Sequence, residues 1–158
     1  MSEQPGCLLV VTRLWRVAAA ALLVAGSRLG AQATRLDVSG SPGNLAVTSA
    51  PAGFQPAAVI DASTQYSVRV HGGTKKITAE LSAPMPAGVS LTVTLSAVSG
   101  GTSAGPVTLD TTPRDVVVNL SNGADLSATI TYQLTTTTEA GIVAAQSRTV
   151  TFSLVNYP

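Results

Sequence analysis

The chain of 158 residues holds one histidine, His71, and one cysteine, Cys7, so catalysis by imidazole or thiolate could draw on only these two side chains. A serine nucleophile would need His71 as its base and a sharp turn to expose the hydroxyl, and no Gly-x-Ser-x-Gly run is present. His71 falls at a strand end beside Gly72-Gly73, where the sequence predicts a solvated loop residue. One imidazole also cannot build a His-based zinc site without carboxylates from distant positions. Asp110, Asp115 and Asp125 lie in or beside predicted loops and, with Asn119 or Asn122, could offer oxygens to calcium. The Asp-x-Asp-x-Asp-Gly run of a calcium loop is missing, and carboxylates at turns commonly accept hydrogen bonds from nearby backbone N–H groups. A glycosidase needs two carboxylates facing each other across a cleft, and nothing in the spacing of these acids pairs them. The expectation is therefore no catalytic residue, no metal site and no cofactor, in a protein that is not an enzyme.

Binding without catalysis asks for other side chains. Sugar recognition favours flat aromatic faces open to solvent. Tyr66, Tyr132 and Phe152 fall in phase with the apolar faces of predicted strands and are expected in the core. Phe54, in the Pro51-Ala-Gly-Phe-Gln-Pro56 loop, and Tyr157, next to the final Pro158, are free of that assignment. With Asp125 they form the candidate ligand-binding set. The one basic pair, Lys75-Lys76, opens a strand, where charge commonly protects a sheet edge. Asn119-Leu-Ser121 has the form of a glycosylation acceptor, a tripeptide frequent by chance. A formal net charge of +1 lacks the basic footprint of a nucleic-acid binder.

The elements that must carry these residues begin after a leader. Arg13 and Arg16 precede the charge-free Val17-Ala-Ala-Ala-Ala-Leu-Leu-Val-Ala-Gly26, and Ala31-Gln32-Ala33 supplies small residues at a cleavage site. Residues 1–33 thus read as a helical secretory signal peptide and residues 34–158 as one mature domain. The apolar stretch, bracketed by Arg16 and Arg28, is shorter than the roughly 20 residues that span a bilayer, which disfavours an uncleaved anchor. Cleavage removes Cys7, so the exported domain has no disulfide and depends on its core. Nothing after residue 33 predicts membrane insertion, and the expected location is periplasmic or extracellular.

Residues 34–158 contain 19 Thr and 14 Ser, many alternating with Val, Leu and Ile, and β-branched Thr suits the solvent face of a pleated sheet. A period of two runs through Tyr66, Val68 and Val70; Ile77, Ala79 and Leu81; and Leu91, Val93 and Leu95. It recurs in Ile130, Tyr132 and Leu134 and in Val150, Phe152 and Leu154. Each run has one dry and one wet face, as in an antiparallel sheet that covers a core on one side. Further strands are expected at 35–39, 45–49 and 114–120, separated by Gly, Pro and Asn-Gly breakers. The fold class is all-β: one immunoglobulin-like antiparallel two-sheet sandwich of about seven to nine strands. Five aromatics after residue 33 are too few for the two girdles of a transmembrane barrel.

The C-terminal third carries a resemblance. Ser127-Ala-Thr-Ile-Thr-Tyr-Gln-Leu134, Glu139-Ala-Gly141 and Arg148-Thr-Val-Thr-Phe-Ser-Leu154 look like the end of secreted bacterial β-sandwich subunits of the spore coat U and fimbrial kind. The resemblance implies a subunit of an extracellular coat or fibre, assembled by contact with its own copies or other envelope proteins, often through a lent strand. The chain differs in lacking the cysteine pair of many such subunits and in the longer Ile142-Val-Ala-Ala-Gln-Ser147 segment after Gly141. The expected function is an exported, non-enzymatic structural or adhesive protein, with the strands at 35–39 and 148–154 as contact candidates. The alternative is a secreted ligand-binding module, with carbohydrate as the ligand class.

Overall fold

The computed structural model describes residues 7–11, 33–48 and 54–158, with no statement on the side chains of 7–11 and 124–126. Most of the segment read as a leader, including its apolar helical stretch, lies outside the described residues. Within it, Cys7–Val11 is an extended strand, β1. The remaining strands are β2 (Arg35–Ser39), β3 (Leu45–Val47), β4 (Val59–Val70), β5 (Lys75–Leu81), β6 (Val89–Leu95), β7 (Thr102–Ser103) and β8 (Val107–Thr108). They continue with β9 (Arg114–Leu120), β10 (Gly123–Thr136), β11 (Gln146–Arg148) and β12 (Val150–Asn156). One 3-10 turn, Thr138–Ala140, is the helical element among the described residues.

Two antiparallel sheets form the body of the fold. The first has the order β2-β4-β10-β6-β8 and the second β12-β5-β9-β7. A third, small sheet sets β1 between β3, antiparallel to it, and β11, parallel to it. From β4 to β10 successive strands alternate between the two large sheets, so the main pairings join strands that are not neighbours in sequence. Such topology closes long loops before contacts reward them, which slows folding.

The alternating residues meet in one core. Tyr66, Val68 and Val70 of β4, Leu91, Val93 and Leu95 of β6, and Ile130, Tyr132 and Leu134 of β10 are buried in a single cluster with Ile77, Ala79 and Leu81 of β5 and Val116, Val117 and Leu120 of β9. Burying a Leu, Ile or Val side chain contributes about 1.5–3 kcal/mol, so this double layer supplies the stability that disulfides give to many secreted domains.

Two irregularities re-aim side chains. In the β4–β10 ladder Ile130 faces Thr64 and Tyr132 faces Asp61, so Ala62 and Ser63 together oppose one residue. This bulge reverses the alternation: Val59 and Asp61 take the inner phase and Ile60 the outer, where it is 62% exposed. In β9, Val117 faces Ile77 while Asp115 faces Thr78. The extra residue lets both Val116 and Val117 be buried, against strict alternation.

Candidate interaction surface

A sheet edge carries a row of N–H and C=O groups that can pair with another chain, and natural proteins guard such edges with charge, brevity, proline or bulges. Among the described residues, three of the four edges of the two large sheets are guarded. β7 and β8 have two residues each. β2 carries the Arg35–Asp37 ion pair, with Nε and Oδ2 3.2 Å apart.

The fourth edge, β12, has none of these devices. Its sequence, Val-Thr-Phe-Ser-Leu-Val-Asn, contains no charge, proline or glycine. All seven residues pair with β5 in unbroken register, from Val150 opposite Leu81 to Asn156 opposite Lys75. Val150 is buried, Phe152 and Leu154 are half-buried against the core, and Thr151, Ser153, Val155 and Asn156 are exposed. Among the described residues no strand pairs with the outer side of β12, and β2 approaches it from the edge of the opposite sheet.

Both ends of β12 are fastened. Ser82 N–H donates to the Thr149 carbonyl oxygen at 2.9 Å, and Thr149 N–H donates to Ser82 Oγ at 3.0 Å. Arg148 Nε donates to the Pro84 carbonyl oxygen at 3.0 Å. At the far end Tyr157 N–H donates to the Thr74 carbonyl oxygen at 3.0 Å, and Lys75 Nζ donates to Asn156 Oδ1. The strand is thus fastened along its β5 side, and its other side forms the edge of the sheet.

The residues singled out from sequence fall elsewhere. Phe54 is 69% exposed, and its neighbour Gln55 accepts a hydrogen bond through Oε1 from Thr138 N–H at 3.0 Å, at the Val59 end of β4. Tyr157 is half-buried beside Thr74, at the Val70 end. With about 3.3 Å per residue, the length of β4 between them is roughly 35 Å. Asp125 lies in β10 near Gly123, which faces Val70, so its backbone belongs to the Tyr157 end; its side chain is outside the described set. The three do not converge on one site.

The remaining polar candidates are engaged locally. Asp110 accepts from Thr112 N–H at 2.7 Å and from the Arg114 guanidinium, whose hydrogen bonds hold the Asp110 carboxyl below the usual range. Asp115 pairs with Lys76 at 2.9 Å, which ties β9 to β5. His71 is exposed; its N–H donates to Thr34 Oγ1, which in turn donates to the His71 carbonyl oxygen, both at 2.9 Å. Asn122 Oδ1 accepts from Gly72 N–H at 2.7 Å. Among the described residues no three His, Cys, Asp or Glu side chains gather as a metal site would require.

Position in the sequence alone marks 148–154, which overlaps β12, as a contact candidate, and the residues carry one further signal. Arg148 to Pro158 contains no charged residue after Arg148, in a chain that places a charge in most of its other strands.

No protein-family model matches the chain, and no curated protein or solved structure matches it either.

Proposed function

We propose that this chain is an exported structural or adhesive protein of the cell exterior, built as an immunoglobulin-like sandwich and acting through protein–protein contact at its sheet edges. The carrying observation is the unguarded, fully registered outer edge of β12, beside β2. The two strands picked out from sequence as contact candidates are thus the terminal strands of the two large sheets, side by side. An extended edge gives affinity through main-chain hydrogen bonds and specificity through alternate side chains. The Arg-flanked apolar leader pattern supports export, and the likeness of the C-terminal third to coat and fimbrial subunits supports assembly. A carbohydrate-binding role draws less support, because Phe54 and Tyr157 lie at opposite ends of β4.

Light scattering of the purified chain across a wide concentration range, with recovery of bound envelope proteins, tests the proposal. Self-association or a specific envelope partner is expected. A strict monomer with no envelope partner contradicts it.

A further inference from the structure

We infer that the outer edge of β12 pairs antiparallel with β12 of a second copy of this chain, about a two-fold axis at Ser153. The inference deepens the contact function proposed above and rests on it.

The strand is matched to itself. Centring the antiparallel pair on Ser153 places Ser153 opposite itself, Phe152 opposite Leu154, Thr151 opposite Val155 and Val150 opposite Asn156 of the second copy. All seven residues of β12 then find partners, whereas centring on Phe152 or Leu154 pairs only five of them. A slip that puts the axis between two residues would set core-facing side chains against solvent-facing ones. The Ser153 register joins half-buried Phe152 to half-buried Leu154 twice, and an aromatic–aliphatic cross-strand pair contributes about 0.2–1 kcal/mol.

Charge is compatible with this register. β12 brings no charge to the seam. On the outer face Thr151 lies opposite Glu80 and Val155 opposite Lys76 of β5. Each row across the joined sheets therefore runs Glu80, Thr151, then Val155 and Lys76 of the second copy, with opposite charges at its ends. Three strand spacings of about 4.8 Å put those charges roughly 14 Å apart, beyond the Debye length of about 8 Å at physiological salt. They do not drive association, but like charges never oppose one another. A parallel pairing of the two strands would set Lys76 in line with Lys76 and Glu80 with Glu80.

The edge chooses a copy of itself over a fibre for a geometric reason. A two-fold contact uses the same surface on both chains and closes, leaving the two-residue β7 of each copy as the outermost strand of the joined sheet. The assembly expected is a dimer with an eight-stranded continuous sheet, made from four strands of each copy.

Disulfide trapping reads the register. In the full chain carrying Cys7→Ser, the Ser153→Cys variant is expected to oxidise to a covalent dimer, since the two positions meet at the axis within disulfide reach. Thr151→Cys is expected to stay uncrosslinked, because its two copies would be offset by four residues, about 13 Å along the strand. Ser153→Lys, which sets two ammonium groups on the axis at an exposed position, is expected to raise the dimer dissociation constant about tenfold or more while circular dichroism stays that of the parent. Equal crosslinking at both positions, or a dimer indifferent to Ser153→Lys, would overturn the inference and leave the contact function standing on another surface. A chain that stays monomeric but captures an envelope protein would likewise sink the self-pairing alone. A monomer without any partner would end both.

Discussion

The Tyr66 hydroxyl donates a hydrogen bond to the Ser96 carbonyl oxygen at 2.6 Å, reaching from β4 past β10 to the end of β6. Ala128 sits directly opposite Tyr66 on the intervening strand, and its small side chain leaves room for the ring. One side chain thereby fastens three strands of the sheet.

Tyr66→Phe should lower stability by about 1 kcal/mol, since the ring stays buried while the Ser96 carbonyl loses its donor. Burial pushes the Tyr66 phenol up to about 12. Its pKa is raised on folding, so its contribution is complete below the unfolded value near 10 and is lost as pH rises toward about 12. Urea titrations from neutral to alkaline pH should show the parent losing stability across that window, with Tyr66→Phe losing less. Equal losses would show that Tyr66 does not govern the alkaline limit.

Thr64→Val should stabilise the protein by about 1 kcal/mol. Thr64 is 1% exposed, and its Oγ1 has no hydrogen-bond partner among the described residues, so the hydroxyl is desolvated without return. Valine keeps the shape and removes the cost. A lower thermal midpoint for the variant would indicate an unrecognised partner for that oxygen.

Asp61→Ala should loosen the Gly40–Asn44 segment and cost about 1 kcal/mol. Asp61 Oδ2 accepts from Gly43 N–H at 3.1 Å, and Oδ1 accepts from Ser63 N–H at 3.0 Å and Ser63 Oγ at 2.7 Å. Partial burial pushes this carboxyl up, but the hydrogen bonds from Ser63 and Gly43 outweigh it and hold the pKa below the ordinary value. A depressed pKa contributes stability above the unfolded value, near 3.9, and loses it as pH falls through the folded one. Acid denaturation followed by circular dichroism should therefore start at higher pH in the variant. Superimposable acid curves would count against the role.

Gly88→Ala should destabilise by about 1–3 kcal/mol. Gly88 has φ +73°, and a Cβ there would lie 2.8 Å from the Ala140 backbone nitrogen and from Thr137 Oγ1. The same glycine's carbonyl oxygen accepts from Thr137 N–H at 2.8 Å. The loop before β6 and the 3-10 turn after β10 are locked together by contacts that only glycine permits. An unchanged urea midpoint would contradict this.

Much of the fold was legible because most strands are half-buried and obey a period of two. The inward faces of β5, β6, the second half of β4 and the middle of β10 read directly from sequence. The two expected antiparallel sheets are present and β9 spans the residues expected of it, but the described residues hold twelve strands, and the strand expected at 45–49 is β3 of the third, small sheet. The first half of β4 was not legible. The bulge at Ala62-Ser63 puts Asp61 in the inner phase and Ile60 in the outer one, so alternation carried back from Tyr66 points the wrong way. Asn122-Gly123 does separate β9 from β10, with Gly123 already the first residue of β10. The two-residue strands β7 and β8 and the three-residue β11 are too short to show any period. Strand order was invisible for a deeper reason. Alternation says which face is dry, and nothing about which strand stands at the edge.

The candidate surface was legible only as a pair of sequence positions. That the strands at 35–39 and 150–156 are edges, and neighbours, follows from pairings between residues distant in the chain. Phe54 and Tyr157 drew notice as aromatics without a place in a strand face, but no local pattern encodes that they end up at opposite ends of β4.

The most direct measurement of the central claim is the solution mass of the full chain by light scattering behind a sizing column, over a wide range of concentrations. The account predicts a mass that rises with concentration above the 15.9 kDa of one chain, toward twice that value. A mass fixed at 15.9 kDa throughout, with no envelope protein retained by the chain, would contradict it.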